Sequence, residues 1–324
     1  MAMLVAVMGS MLPVAGARVP AAETTGPAAA AQSLPSGVDV RGPEKPSAIE
    51  EFALAELRAA LSRSASGRTA QAPKLSLVIG QPGGNAEVKR LLDSGFAKPE
   101  TRKEGYALKY DKDKGVVLVA GTDDRGALYG VMDLIHYRLA DVLAGKAESF
   151  EAGEAPKLDC RGIWGWGGGI KNYEKFFDQM ARWKMNLCIP WHKKVPKNAK
   201  AFQDYAASRG VYIAWGYTWG WPRIDWKDDA TVTKTSDTAI ATFKEQYAPL
   251  KPWGIYFQSH TEYGAGGAWG AKWIHLVNRT SQAIFETKPD VKIFAGMHGN
   301  FRNHDEHIKN LDARVDMMYE DLPC

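Results

Sequence analysis

The stretch that decides the fold is Asp159 to His192, "DCRGIWGWGGGIKNYEKFFDQMARWKMNLCIPWH". Asp159 to Trp166 reads as a strand. Tyr173 to Lys184 follows at helical spacing, with Phe176, Phe177, Met180 and Trp183 on one face. Asn186 to His192 is a second apolar strand. Strand, helix and strand within 34 residues make a βαβ unit, and such units build parallel sheets.

Working outward, the same alternation continues to the end of the chain. Ala199 to Arg209 is a helix stopped by Gly210, and Val211 to Trp219 (VYIAWGYTW) is strand three. A polar loop with Trp221 and Trp226 leads to a helix expected over Asp237 to Tyr247. Strand four, Trp253 to Ser259, precedes a helix over Trp273 to Thr287. Val291 to His298 is strand five, Asp305 to Asn310 a short helix, and Val315 to Glu320 strand six. Near-continuous apolar strands point to a parallel sheet buried on both faces. The expected architecture is an α/β fold with an incomplete TIM-type (β/α)8 barrel of about six βα units. A full barrel needs roughly 250 residues, and the region from Cys160 to Cys324 is far shorter, so either the chain is a fragment of a longer protein, which is the expectation, or the sheet is an open α/β sheet.

In the other direction the chemistry changes. All 11 tryptophans lie after Cys160, which marks a domain boundary, and "ESFEAGEAPKLDC" reads as the linker. Before it, Ser47 to Ser62 is a helix with Ser47 and Glu50 spaced as a capping box. Lys74 to Gly80 is a strand and Ala86 to Ser94 a helix. Tyr106 to Tyr110 and Gly115 to Ala120 form a hairpin around "DKDKG". "GTDDRGALYGVMDLIHYRLAD" opens a helix with Asp123 and Asp124 at its start. The expected domains are 1–36, a signal and flexible segment; 37–150, a small α/β domain; and 151–324, the barrel domain.

The N-terminal stretch to Ala17 is apolar, with Ala15-Gly16-Ala17 as an A-x-A-like cleavage site. It implies export to a periplasm or the outside. No other apolar run approaches the roughly 20 residues of a membrane span. The chain carries 24% charged and 45% apolar residues and a net charge of +4, ordinary for a globular protein and without a nucleic-acid footprint. Cys160, Cys188 and Cys324 are far apart, so neither a disulfide framework nor a zinc site is indicated.

Barrel chemistry sits at the C-terminal ends of the strands. Those ends carry Trp164 and Trp166, Trp191 and His192, Tyr217 and Trp219, His260 and Glu262, His298, then Glu320 and Asp321. Aromatic faces suit sugar rings, and glycosidic cleavage needs one carboxylic acid and a second carboxylate. Glu262 is the candidate general acid, with Asp321 or Glu320 as partner. Trp164, Trp191, His192, Tyr217, Trp219, His260 and His298 are candidate substrate-binding residues. No metal and no cofactor are expected, since His192, His260, His298 and Glu262 show no ligand spacing. A carbohydrate-binding protein with a degenerate barrel is the alternative, and a non-sugar barrel enzyme using the histidines a third reading.

"EGYALKYDKDKGVVLVAGTDDRGALYGVMDLIHYRL" (Glu104 to Leu139) resembles the small α/β domain that precedes the barrel in β-N-acetylhexosaminidases and α-glucuronidases. "CRGIWGW" and "MNLCIPWH" resemble the first βαβ unit of those barrels. The resemblance implies a glycoside hydrolase with a carbohydrate substrate and its acid, Glu262, at the end of strand four. It implies that Arg161 holds sugar hydroxyls. Thr261 stands where the hexosaminidases carry an Asp that positions the substrate acetamido group. "HTEYGAGG" is nearer to the α-glucuronidases, and Arg161, His192, Lys193 and Lys194 are then candidates to hold a uronate carboxylate.

Overall fold

The computed structural model describes residues 3–7, 34–65, 74–220, 224–257, 269–297 and 305–319. Two sheets organise them. The small sheet comprises β2 (Val38–Arg41), β3 (Leu75–Gly80), β4 (Tyr106–Asp111), β5 (Val116–Gly121) and β6 (Phe150–Glu154), in the order β2-β3-β5-β4-β6. β2, β3 and β5 run parallel, while β4 is antiparallel to both of its neighbours. Helices α1 (Ala48–Ala65) and α3 (Asp124–Asp133) cover one face, and α2 (Ala86–Asp93) the other.

The local reasons are legible. Ser47 and Glu50 close a reciprocal capping box: the Glu50 N–H donates to Ser47 Oγ at 3.2 Å, and the Ser47 N–H to Glu50 Oε2 at 3.0 Å. Asp123 caps α3 by accepting from the Gly126 N–H at 2.8 Å. A Cβ on Gly126 would lie 2.0 Å from the Gly105 carbonyl oxygen, so the helix start can meet β4 only without a side chain there. The "DDRG" motif is therefore a cap followed by a close approach. After α3 the chain widens into a π-helical turn, Leu134–Arg138, before the short α4 (Leu139–Leu143).

The large sheet is all parallel. It holds β7 (Cys160–Trp166), β8 (Leu187–Trp191), β9 (Tyr212–Tyr217), β10 (Gly254–Phe257), β11 (Lys292–Met297) and β12 (Val315–Tyr319), with β1 (Met3–Val7) beside β7. Helices α5 (Tyr173–Arg182), α6 (Ala199–Ser208), α7 (Asp229–Thr242), α8 (Trp269–Thr287) and the short α9 (Asp305–Ile308) alternate with these strands. α6 ends in a Schellman motif. Gly210 takes φ +74°, its N–H donates to the Ala207 carbonyl, and the Val211 N–H donates to that of Ala206.

The sheet curls. Trp164 on β7 and Tyr256 on β10 have ring centroids 6.0 Å apart, whereas three flat strand spacings would separate their strands by about 14 Å. Side chains alternate between two cores. Cys160, Trp164, Leu187, Ile189, Trp191, Ala214, Tyr256, Phe294 and Met318 fill the concave side. Cys188, Ile213, Trp215, Tyr217, Ile255, Phe257 and Ile293 pack outward against the helices. This is the expected incomplete barrel: a six-stranded half-barrel after a small mixed-sheet domain.

Four elements differ from the sequence reading. Met3–Val7, read as part of a signal and flexible segment, pairs in parallel with β7 as β1. Phe150–Glu154, read as linker, is an edge strand of the small sheet. α7 begins at Asp229, eight residues before the expected start, because Asp228 caps it by accepting from the Ala230 and Thr231 N–H groups. Trp183 does not share the buried face of α5. It is the C-cap residue, Lys184 then takes φ +58°, and the indole swings out to 66% exposure.

Candidate functional site

The mouth of the half-barrel is built by one register line, Trp166, Trp191, Gly216, Tyr256 and Phe294, across five neighbouring strands. Gly216 makes this line possible. A Cβ there would lie 2.9 Å from Trp191 Cδ1 and 3.0 Å from Tyr256 Cδ1. Trp166 is 46% exposed at the lip, and its ring meets Trp164 at 5.4 Å and Trp191 at 5.0 Å, edge to face in both cases. Inside this cluster the Trp164 Nε1–H and the Tyr256 hydroxyl are buried without a hydrogen-bond partner among the described residues. Buried polar groups are rarely left so, and those that are call for an explanation. Here both belong to the concave face, covered beneath Trp166.

The predicted site residues divide. Trp164 and Trp191 line the concave face. His192 follows them on the same lip but turns outward: its ring packs on Gly167, where a Cβ would lie 1.8 Å from Nε2, and stands 6.1 Å from Trp215. Partial burial lowers its pKa. Lys193 and Lys194 are exposed immediately beyond it. Glu262, His260, His298, Glu320 and Asp321 lie outside the described residues, as does Thr261. In the sequence they follow β10 (Gly254–Phe257), β11 (Lys292–Met297) and β12 (Val315–Tyr319).

Three predicted contacts are not at the mouth. Tyr217 is buried in the outer layer, where its hydroxyl donates to the Ala239 carbonyl at 3.1 Å and its ring stacks on Tyr247 at 4.7 Å. Trp219 is buried in the same layer against Phe257, 4.5 Å between centroids. Arg161 faces away from the lumen, because alternation along β7 sends Cys160 and Trp164 inward and Arg161 outward. Its Nη2 donates to Glu104 Oε2 at 2.7 Å and to the Tyr129 hydroxyl at 3.0 Å. Nε and Nη1 donate to the carbonyls of Lys184 and Leu158. Glu104 also accepts from Asn186 Nδ2 and lies 3.8 Å from Arg125 Nε. Arg161 therefore joins the barrel to the small domain and is not available to a substrate.

Tyr256 is a residue that sequence reading passed over. Its signal was present: it shares a strand face with Gly254, and its partner in the neighbouring strand is the side-chain-less Gly216. Among the described residues no group of His, Cys, Asp and Glu could hold a metal ion, and no helix is long and apolar enough to cross a membrane. Cys160 and Cys188 are buried free thiols, and burial is the main cause that pushes the Cys160 pKa up to about 11.

Residues 22–134 match the family described as Glycosyl hydrolase family 67 N-terminus. No curated protein sequence matches the chain. Among solved structures, CpGH84B is similar over 87% of this chain and 52% of its own, with 14% identity and a TM-score of 0.58. A GH138 enzyme targeting pectin rhamnogalacturonan II aligns over 87% of this chain and 38% of its own, with 12% identity and a TM-score of 0.56. A glycoside hydrolase family 20 β-N-acetylglucosaminidase aligns over 83% and 69%, with 13% identity and a TM-score of 0.51. The chain thus resembles glycoside hydrolases that combine an N-terminal domain with a barrel, and spans about half the length of the first of these structures.

Proposed function

We propose that the chain belongs to an exported glycosidase that cleaves glycosidic bonds in poly- or oligosaccharides, α-glucuronidase-like in its site. The observation that carries this reading is the aromatic concave face, with the Trp164 Nε1–H and Tyr256 hydroxyl unpartnered among the described residues beneath an exposed Trp166. The family 67 match to the N-terminal residues supports it. Indole faces take the C–H side of a pyranose, and Trp166, the exposed ring of the cluster, is the one that offers such a face at the lip.

In this mechanism Glu262, on the segment that follows β10, donates a proton to the glycosidic oxygen as the C–O bond breaks. The leaving sugar departs as the alcohol. Glu320 or Asp321, following β12, acts as base or nucleophile, and water supplies the hydroxyl that ends on the anomeric carbon. Thr261, in the place of the hexosaminidase Asp, favours the uronidase-like branch. With Arg161 committed to the domain seam, the exposed Lys193 and Lys194 are the lysines proposed to take a uronate carboxylate.

The test uses the full-length protein and an oligosaccharide substrate, whose sugar leaving group needs protonation. Glu262→Gln is expected to lower kcat by about 10²–10⁴-fold, the range of general acid catalysis, with binding kept. Undiminished turnover rejects the assignment, and glycan binding without turnover in the unsubstituted protein favours a degenerate barrel. Export is tested by sequencing the N-terminus of the mature protein, which is expected to begin after Ala17. A mature protein that keeps Met3–Val7 rejects a cleaved leader.

A further inference from the structure

On the other end of the barrel, at the seam with the small domain, lies a cleft of 450 Å³. This is within the roughly 300–1,000 Å³ of small-molecule sites. It opens where α5 ends, beside the π-helical turn Leu134–Arg138 and the edge strand β6. π-Helical turns are rare and frequent at functional sites. This one projects Tyr137 to 69% exposure and brings His136 against Trp183, stacked with centroids 5.9 Å apart and planes 27° apart. Tyr137 also meets His136, its ring 6.0 Å away and edge to face. Three aromatic rings therefore form a strip open to solvent, away from the mouth. Trp183 and Tyr137 are the two most exposed large apolar side chains among the described residues.

Below the strip the cleft is polar. Asp133 accepts from the Tyr106 hydroxyl and pairs with Lys184 Nζ at 2.5 Å. Glu154 on β6 lines the same wall. A carboxylate has about four acceptor positions, so Asp133 keeps capacity after these two bonds. Arg138 sits at the margin with its guanidinium over Phe150.

We propose that this cleft is a second glycan-binding site, separate from the mouth, that takes a neutral β-1,4-linked oligosaccharide. The C–H face of one pyranose packs on Trp183 and a neighbouring unit on Tyr137. Hydroxyls donate to Asp133 and Glu154. Lys184 is paired with Asp133 and Arg182 with Glu56, and Arg138 offsets Glu154, so the cleft has no net charge left to draw an acidic sugar; the open strip suits the extended chain that β-1,4 links give, with successive units running past the cleft. The site does not depend on Glu262 being a catalytic acid.

Indole ¹⁵N–¹H spectra test this on the full protein, titrated separately with xylohexaose, cellohexaose and chitohexaose. The Trp183 signal is identified by its loss in Trp183→Phe. At least one hexasaccharide is expected to shift it saturably, equally in a Glu262→Gln background. Tyr137→Ala is expected to weaken that binding about tenfold, the factor equivalent to one aromatic contact of about 1.4 kcal/mol. Both side chains are exposed, so both variants are expected to fold. A Trp183 signal unmoved by all three hexasaccharides overturns the proposal, even if Trp164 or Trp191 shifts and so supports a sugar site at the mouth. Binding that Tyr137→Ala leaves unchanged overturns it as well.

Discussion

Glu104→Gln removes one charge from the centre of the domain seam. Glu104 is 3% exposed, takes φ +57° and has its own N–H bound to Asp123. Its carboxylate faces Arg161 at 2.7 Å, Asn186 at 3.1 and 3.2 Å, and Arg125 at 3.8 Å. Glutamine keeps the volume and one acceptor oxygen but leaves both guanidiniums without a counter-ion. Breaking a buried pair costs about 3–5 kcal/mol. Arg161 retains its bonds to two carbonyls and to Tyr129, so the lower end, about 3 kcal/mol, is expected. Urea unfolding followed by fluorescence reads the barrel alone, because all the tryptophans follow Cys160; far-UV circular dichroism reads both units. The two transitions are expected to coincide in the parent chain and to separate in the variant. Arg161→Met added to Glu104→Gln is expected to recover part of the loss, since the nearer of the two guanidiniums is then gone and only Arg125, 3.8 Å from Glu104 in the parent, stays without a counter-ion. A loss below about 0.5 kcal/mol, the ordinary surface range, refutes the seam as an energetic link.

Gly216→Ala places a methyl group within 3.0 Å of both Trp191 and Tyr256. Overpacking of this kind costs about 1–3 kcal/mol, and glycan binding at the mouth should weaken with it; unchanged stability and binding would show that the rings yield freely. The partly buried His192 has a lowered pKa. Above the unfolded value of about 6.5 neither state is charged, and below it the unfolded chain takes the proton first, so stability falls as pH drops from there toward the folded pKa. The melting temperature should therefore fall between pH 7.5 and 5.5 by more in the parent than in His192→Gln. Equal falls count against a buried neutral ring.

The elements that carry local signals were legible in the sequence. The Ser47/Glu50 box, the "DKDKG" hairpin and Gly210 all act within a few residues, and all stand where they were expected. The side of each barrel strand was not. β9 runs Tyr-Ile-Ala-Trp-Gly-Tyr, apolar throughout because both its faces are buried. No polar alternation then tells lumen from helix layer, so Tyr217 and Trp219 were read as lip residues when they are core. Arg161 failed for a related reason. An arginine on a buried strand needs a partner, and its partner Glu104 lies 57 positions earlier in the chain. Trp183 followed the helical period only as far as the helix did.

Arg161 and Trp164 stand on the same strand and point to opposite sides. Outward, Arg161 is held by Glu104 and Tyr129 of the small domain; inward, Trp164 builds the aromatic mouth with Trp166, Trp191 and Tyr256. A strand cannot shift by one residue without exchanging these faces, which would carry a guanidinium into the apolar lumen and an indole against Glu104. The seam thus fixes the register of β7. Asn186, at the entrance to β8, extends the same control to the next strand, since it donates to Glu104 and accepts from the Arg161 N–H at 2.8 Å. The small domain, which carries no aromatic mouth of its own, therefore contributes to that mouth by holding in place the two strands that bear its tryptophans.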